Sequence, residues 1–150
     1  MTRFIFKNNA IFATSSKKTE KSMAINYSKG EERTNYLSHG GGIVLGVVVG
    51  TLLLIYCYRH ENVWMQWGGW LYMFGMLGSY ITSTIYHACP STSKWREKLR
   101  KWDHAAIYWH IAGSYSPITL VALREQGNWG WTLFSIVWLC AIVGTFTSLR

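Results

Sequence analysis

Residues 83–117 read STIYHACPSTSKWREKLRKWDHAAIYWHIAGSYSP, and this stretch decides how the rest of the chain is interpreted. It joins two apolar segments through a basic loop and places Ser83, His87 and Asp103 at the segment ends that face the loop. Ser83 and His87 are four residues apart, so they share one face of a helix. Ionisable groups at membrane depth are costly and usually mark a site inside a helix bundle. A hydroxyl, an imidazole and a carboxylate at one depth therefore predict part of a metal–water site like those of hydrolytic zinc enzymes.

The composition indicates a membrane protein rather than a soluble domain. The 150 residues include nine Trp and nine Tyr, and the mean hydropathy is +0.06. This near-zero mean hides long stretches with almost no charge, which average against polar loops and a polar N-terminal segment. Such a mosaic is typical of a small membrane protein.

The net charge of +8 is concentrated in two parts of the sequence. Of the fifteen basic residues, seven precede residue 36 and five lie in the loop at 94–101. They are Arg3, Lys7, Lys17, Lys18, Lys21, Lys29 and Arg33, then Lys94, Arg96, Lys98, Arg100 and Lys101. Basic residues in alternate loops follow the positive-inside rule, which explains them better than a nucleic-acid-binding face does. We therefore expect an integral plasma-membrane protein with a cytoplasmic N-terminus, with membrane lipids as partners and no nucleic acid.

Four apolar segments are long enough to cross a bilayer as helices, at about residues 37–58, 67–88, 104–123 and 131–149. A hydrocarbon core of ~30 Å needs ~20 residues in helical form. The sequence therefore predicts an all-α, polytopic membrane helix bundle over residues 36–150.

Two patterns predict how these helices pack. Gly42, Gly46 and Gly50 recur every four residues and form a smooth stripe on which another helix can pack closely. A second, polar stripe on the third segment ends at Pro117, where the missing backbone donor predicts a kink. The stripe consists of Asp103, His110, Ser114 and Pro117, and it should face the bundle interior.

The two ends of the chain and its cysteines lead to further expectations. Residues 1–35 are polar and basic without a sustained apolar period, which predicts a mostly disordered cytoplasmic tail. A transit peptide and a translation start at Met23 remain open alternatives. The sequence stops one residue after the fourth segment, which suggests a C-terminally truncated chain. Three cysteines at different depths, Cys57, Cys89 and Cys140, are expected to be free thiols.

The basic loop from Cys89 to Trp102 has two interpretations. It could set the orientation of the neighbouring helices, or it could also hold an anionic lipid. Each Lys or Arg near an anionic leaflet contributes only ~1 kcal/mol, so orientation alone is the simpler explanation.

Three motifs carry a resemblance to a known family. EERTNYLSHG at 31–40, S-x-x-x-H at 83–87 and DHAAIYWHIAGSYSP at 103–117 together resemble the hemolysin III family. That family is similar to the progestin and adiponectin receptors and, more distantly, to alkaline ceramidases. The resemblance covers roughly residues 27–148 and implies a seven-helix membrane fold, of which this chain contains four helices.

The same resemblance implies a zinc site near the cytoplasmic face. His87 would be one zinc ligand, Asp103 would hold or deprotonate the zinc-bound water, and Ser83 would assist at the metal or next to it. The family's other two ligands come from an H-x-x-x-H pair that is absent from these 150 residues. His110 stands where the family usually has an apolar residue. A local set of His39, His87 and His104 is an alternative, although His104 points about 100° away from Asp103 on a helix.

Three functions remain open at this point. The first is a zinc-dependent membrane hydrolase acting on a lipid amide, with Ser83 and Asp103 as catalytic residues and His87 as the metal ligand. The second is a pore-forming cytolysin, as the family name suggests. The third is a receptor-like membrane protein without catalysis. The site residues favour the hydrolase, because a pore needs a wet lining and these segments carry few charges. The fragment alone is expected to be inactive and to bind little zinc.

Overall fold

The computed structural model describes residues 27–150, and within this part of the chain all regular structure is helical. Helix α1 spans Lys29–Arg59, α2 Val63–Ala88, α3 Arg96–Pro117 and α4 Trp129–Leu149, with a π-helical turn at Ile118–Ala122 between the last two. The predicted all-α fold with four helices is therefore confirmed. Residues 1–26, which hold Met23 and most of the predicted tail, lie outside the described residues.

Local hydrogen bonds explain where the first two helices begin. Ser28 and Glu31 form a reciprocal capping box, in which the Ser28 N–H donates to Glu31 Oε2 at 2.6 Å and the Glu31 N–H donates to Ser28 Oγ at 3.3 Å. Helix α1 consequently starts at Lys29, so residues 29–35, assigned to the tail from the sequence, are helical. Asn62 caps α2 by accepting from the backbone N–H groups of Trp64 and Met65.

The chain continues past Pro117 without leaving helical geometry. Because Pro117 has no N–H, the regular ladder loses a bond there, and the backbone changes to a π-helical turn over Ile118–Ala122. The turn closes with the Leu123 N–H donating to the Ile118 carbonyl at 3.0 Å. The sequence predicted a disturbance at Pro117 but not this form of it.

The glycine stripe of α1 packs against large side chains of α2, as predicted. A Cβ at Gly42 would lie 3.2 Å from the Tyr80 ring, and one at Gly46 would lie 3.0 Å from the Cε atom of Met76. Gly50 is buried against Met73 in the same way. Small residues on one helix thus leave room for large ones on the next, which is a common way to pack helices in membranes.

Helices α2, α3 and α4 approach each other through further glycines and through two tryptophans. Gly113 on α3 faces α2, and a Cβ there would lie 2.7 Å from the Leu71 carbonyl oxygen. The indole N–H of Trp138 donates to Ser116 Oγ at 3.1 Å, which ties α4 to α3. The Trp109 indole donates to Thr145 Oγ1 at 2.8 Å across the same pair. These bonds satisfy polar groups inside an otherwise apolar bundle.

Among the helices of residues 27–150, α1 and α4 are long and apolar enough to cross a membrane. The other two do not meet that criterion, because α2 contains several hydroxyl residues and α3 begins with the charged sequence REKLRK. All three cysteines are free, as the sequence predicted.

Candidate functional site

The candidate site lies where three helix ends meet. Glu32 comes from the first turn of α1, His87 from the last turn of α2 and Arg96 from the first residue of α3. The Glu32 carboxylate contacts both other side chains, using one oxygen for each. Chain segments far apart in the sequence are joined here by polar side chains that are less than one-fifth exposed.

The imidazole of His87 is held by Glu32. His87 Nδ1 lies 2.6 Å from Glu32 Oε2, and the His87 side chain is 8% exposed. A carboxylate only accepts hydrogen bonds, so Nδ1 is the donor in this contact. A neutral imidazole with its proton on Nδ1 carries its lone pair on Nε2, an atom through which histidine commonly binds metals.

Arg96 fixes the Glu32 carboxylate and the adjoining loop together. Its guanidinium pairs with Glu32 Oε1 and also donates to the backbone carbonyls of Tyr86, at 2.8 Å, and Cys89, at 2.5 Å. The guanidinium lies 4.2 Å from the centre of the Tyr86 ring. Arg96 thereby satisfies carbonyls at the end of α2, where the helix leaves them without intrahelical partners.

A row of rings leads from this end into the bundle. His39 of α1 stacks on His87, with ring centres 6.2 Å apart. Tyr80 lies 5.8 Å from His39 on one side and 5.8 Å from His110 on the other, so the row crosses α1, α2 and α3. His39 Nδ1 is buried and has no hydrogen-bond partner within residues 27–150. Such an atom costs free energy unless a water or a ligand satisfies it.

The three residues singled out from the sequence lie on α2 and α3. Ser83 is buried on α2 one turn before His87, and Asp103 is half-buried on the second turn of α3. Convergence of Asp103 with His87 stays a prediction. The acid that binds His87 in the structure is Glu32, which sequence reasoning missed. Its signal was present, because Glu32 and His39 are seven residues apart in EERTNYLSHG and so share a helical face.

The local set of His39, His87 and His104 is not assembled. His104 is exposed, and its Nδ1 donates to the Arg100 carbonyl at 2.7 Å. Within residues 27–150, no three His, Cys, Asp or Glu side chains lie close enough together to hold a metal ion. The contact of His87 with Glu32 is of the kind that metal-binding histidines often make, because they usually donate their other ring N–H to a carboxylate or a carbonyl.

Comparison with known proteins identifies the family. The model of the family described as Haemolysin-III related matches residues 27–150. The chain belongs to this family. The Hemolysin-3 of Bacillus cereus is 35% identical over 128 residues, which cover 84% of this chain and 56% of that protein. The Hemolysin-3 homolog of Bacillus subtilis (strain 168) is 34% identical over 114 residues, which cover 76% of this chain and 52% of that protein.

The chain spans about half the length of these curated hemolysin III relatives. No solved structure is significantly similar to it. Membership of the hemolysin III family, together with the apolar helices α1 and α4, makes the chain a membrane protein.

Proposed function

We propose that this protein, in its complete form, is a zinc-dependent membrane hydrolase of a lipid amide, with His87 as one ligand of the metal. The observation that carries the proposal is the contact of His87 Nδ1 with the Glu32 carboxylate at 2.6 Å in a largely buried setting. Such a carboxylate orients the ring and makes it a better ligand. The remaining ligands would come from the family's H-x-x-x-H pair.

Each residue of the site has a distinct task in this proposal. Zinc, when bound, would lower the pKa of water and polarise the substrate carbonyl. Glu32 holds the His87 ring in one tautomer, and Arg96 holds Glu32 in place. Asp103 takes up the proton released during attack, and Ser83 supplies a hydroxyl for hydrogen bonding one helical turn from His87.

The proposal includes a topology in which all four helices cross the plasma membrane. Glu32, His87 and Arg96 join the start of α1, the end of α2 and the start of α3, and Lys101 Nζ donates to the Arg150 carbonyl at the end of α4. This end carries Arg33, Lys94, Arg96, Lys98, Arg100, Lys101 and Arg150, whereas Arg59 and Arg124 belong to the opposite end. By the positive-inside rule, the His87 end faces the cytoplasm.

A metal measurement tests the enzyme proposal. We expect about one zinc per chain in a form of the protein extended through the H-x-x-x-H helix, because hydrolytic zinc sites use three protein ligands and water. The variant His87→Ala should lose the metal, and Glu32→Gln should weaken zinc affinity by roughly 10- to 100-fold. His60→Ala is the matched control, since His60 is exposed at the opposite end and bonds to the Tyr56 carbonyl.

Assays of fatty-acid release and of vesicle leakage then distinguish the hydrolase from the alternative functions. Release of fatty acid from a lipid amide, lost in His87→Ala and retained in His60→Ala, supports the hydrolase. The name of the Bacillus cereus relative instead suggests lysis of cells. Leakage of dye from vesicles by a metal-free protein, with no effect of His87→Ala, would replace the enzyme with a pore. An extended form that binds no zinc and causes no leakage would leave the receptor-like function.

A further inference from the structure

A small basic pocket lies apart from the His87 site, between the start of α3 and the end of α4. It has a volume of about 150 Å³ and is lined by Arg100, Lys101, His104 and Ser148. Arg100, Lys101 and Ser148 can each donate hydrogen bonds, and no Asp or Glu lines the pocket in the described part of the chain. We propose that this pocket binds the phosphate group of an anionic phospholipid.

The contacts of the lining residues keep their donors in place. Lys101 Nζ donates to the main-chain oxygen of Arg150 at 2.8 Å, which connects α3 to the end of α4. His104 Nδ1 donates to the Arg100 carbonyl, because a carbonyl can only accept. The ring of His104 is thereby fixed on the helix surface. A phosphate in the pocket would meet donors that are already oriented.

The surrounding residues indicate a membrane source for the phosphate. Trp95, just before α3, is 55% exposed, and the Lys94 and Lys98 ammonium groups lie 5.9 Å and 5.6 Å from its ring centre. Exposed tryptophans between basic residues sit preferentially at the headgroup level of a bilayer. Arg100 lies about 7 Å further along the helix axis than Trp95. Basic pockets between membrane helices on the cytoplasmic side are places where anionic headgroups bind.

The carboxylate of Glu97 would compete with a phosphate for the Arg100 guanidinium. It pairs with Arg100 through Nη2–Oε1 at 2.7 Å and Nε–Oε2 at 3.3 Å. The bond from Arg100 lowers the pKa of the Glu97 carboxyl below its usual value. The carboxylate is therefore charged at neutral pH and reduces the attraction of Arg100 for a phosphate. The inference does not depend on zinc or on hydrolysis.

Two double variants of equal charge loss provide the experiment. The full chain is purified in a neutral detergent and titrated with phosphatidylglycerol, and binding of the first lipid is measured by native mass spectrometry. Arg100→Gln/Lys101→Gln should weaken binding by roughly 25-fold, since each basic contact with an anionic lipid is worth about fivefold in affinity. Lys94→Gln/Lys98→Gln should change it by less than about twofold, because charges outside the pocket are screened. Glu97→Gln should tighten binding.

The remaining outcomes are also decisive. If both double variants weaken lipid binding equally, the pocket is not the binding site. The loop would then attract anionic lipid only through its overall charge. Phosphatidylcholine bound as tightly as phosphatidylglycerol would show that negative charge is not recognised. Protection of the fold by inorganic phosphate, equal to that by phosphatidylglycerol at the same concentration, would replace the lipid by a soluble anion. Matching thermal unfolding of all variants in phosphatidylcholine verifies that they are folded.

Discussion

Arg96 and Arg100 are one helical turn apart on α3, and each pairs with a glutamate, yet their surroundings differ. The Arg96 pair joins α3 to Glu32 on α1, and its side chains are 17% and 19% exposed. The Arg100 pair stays within α3, and its side chains are 42% and 64% exposed. Charge pairs shielded from water are costly to break, because the partner left behind is poorly solvated. Exposed pairs are screened and contribute little.

We therefore predict that Arg96→Gln destabilises the protein by ~2 kcal/mol, the value of a hydrogen bond to a charged group that is largely buried. The matched variant Arg100→Gln should cost only ~0.4 kcal/mol. Chemical unfolding in phosphatidylcholine bicelles, followed by circular dichroism, measures both in the absence of anionic lipid. Equal losses in the two variants would mean that the Glu32–Arg96 pair does not tie the helices together.

The small cost of Arg100→Gln should depend on pH. The pKa of Glu97 is lowered in the folded protein by its bond with Arg100, so this pair contributes stability above the carboxyl's unfolded pKa. The contribution is lost as the pH falls through the lower, folded pKa. The difference between the wild type and Arg100→Gln should therefore disappear in acid.

Sequence reasoning selected His87 but did not predict the partner that the structure gives it. Spacing along one helix predicts which side chains share a face, as it did for Ser83 and His87. The partner of His87 is 55 positions away at Glu32, and only the packing of α1 against α2 brings the two together. A resemblance of motifs named the segment that contains Glu32, but it gave no physical reason to choose that residue.

At the level of helices, α2 and α3 lie close together where two glycines, Gly75 and Gly113, face each other. An added Cβ at Gly75 would overlap the backbone carbonyl oxygen of Trp109 and lie 3.2 Å from the Cα of Gly113. A backbone atom cannot rotate away as a side chain can. The two helices would have to move apart along their whole contact.

We predict that Gly75→Ala destabilises the bundle by ~1–3 kcal/mol, the usual cost of overpacking. Gly41→Ala is the control, because a Cβ there has no neighbour within 4 Å among the described residues. It should be neutral or stabilising, since alanine favours helices over glycine. Thermal unfolding of both variants in the same detergent measures the two changes in stability. If Gly75→Ala does not lower the unfolding temperature, α2 and α3 are less tightly packed than the structure indicates.

Helix number, helix type and the C-terminal helix ends could be predicted from the sequence, but the helix starts could not. Apolar length located all four helices, because a helix is the main solution for a backbone in lipid. It placed the start of the first at residue 37, eight positions late, because α1 continues into polar sequence and begins at its cap, Ser28. The π-helical turn after Pro117 also escaped prediction, since a missing donor is compatible with a kink or with a wider turn.

For the whole molecule, the contacts distinguish two ends of the bundle. One holds Glu32, His87 and Arg96, and the other holds Trp64, whose ring lies 5.3 Å from that of Trp131 and under the Arg124 guanidinium. The distances alone do not say which end faces the cytoplasm. The proposed orientation, with the His87 end in the cytoplasm, rests on the distribution of Lys and Arg, because basic loops are usually retained on that side during insertion.

We predict that a thiol at Gln126 reacts with a membrane-impermeant maleimide on intact cells and that one at Thr92 reacts only after the cells are permeabilised. Both positions are exposed in loops, and neither caps a helix, whereas Asn62 does. Cys57, Cys89 and Cys140 are first replaced by serine to remove the native free thiols. Labelling of Thr92→Cys but not Gln126→Cys on intact cells would show the opposite topology, with the His87 end outside the cell. Labelling of both on intact cells would mean that α3 does not cross the membrane, in keeping with its lower hydropathy.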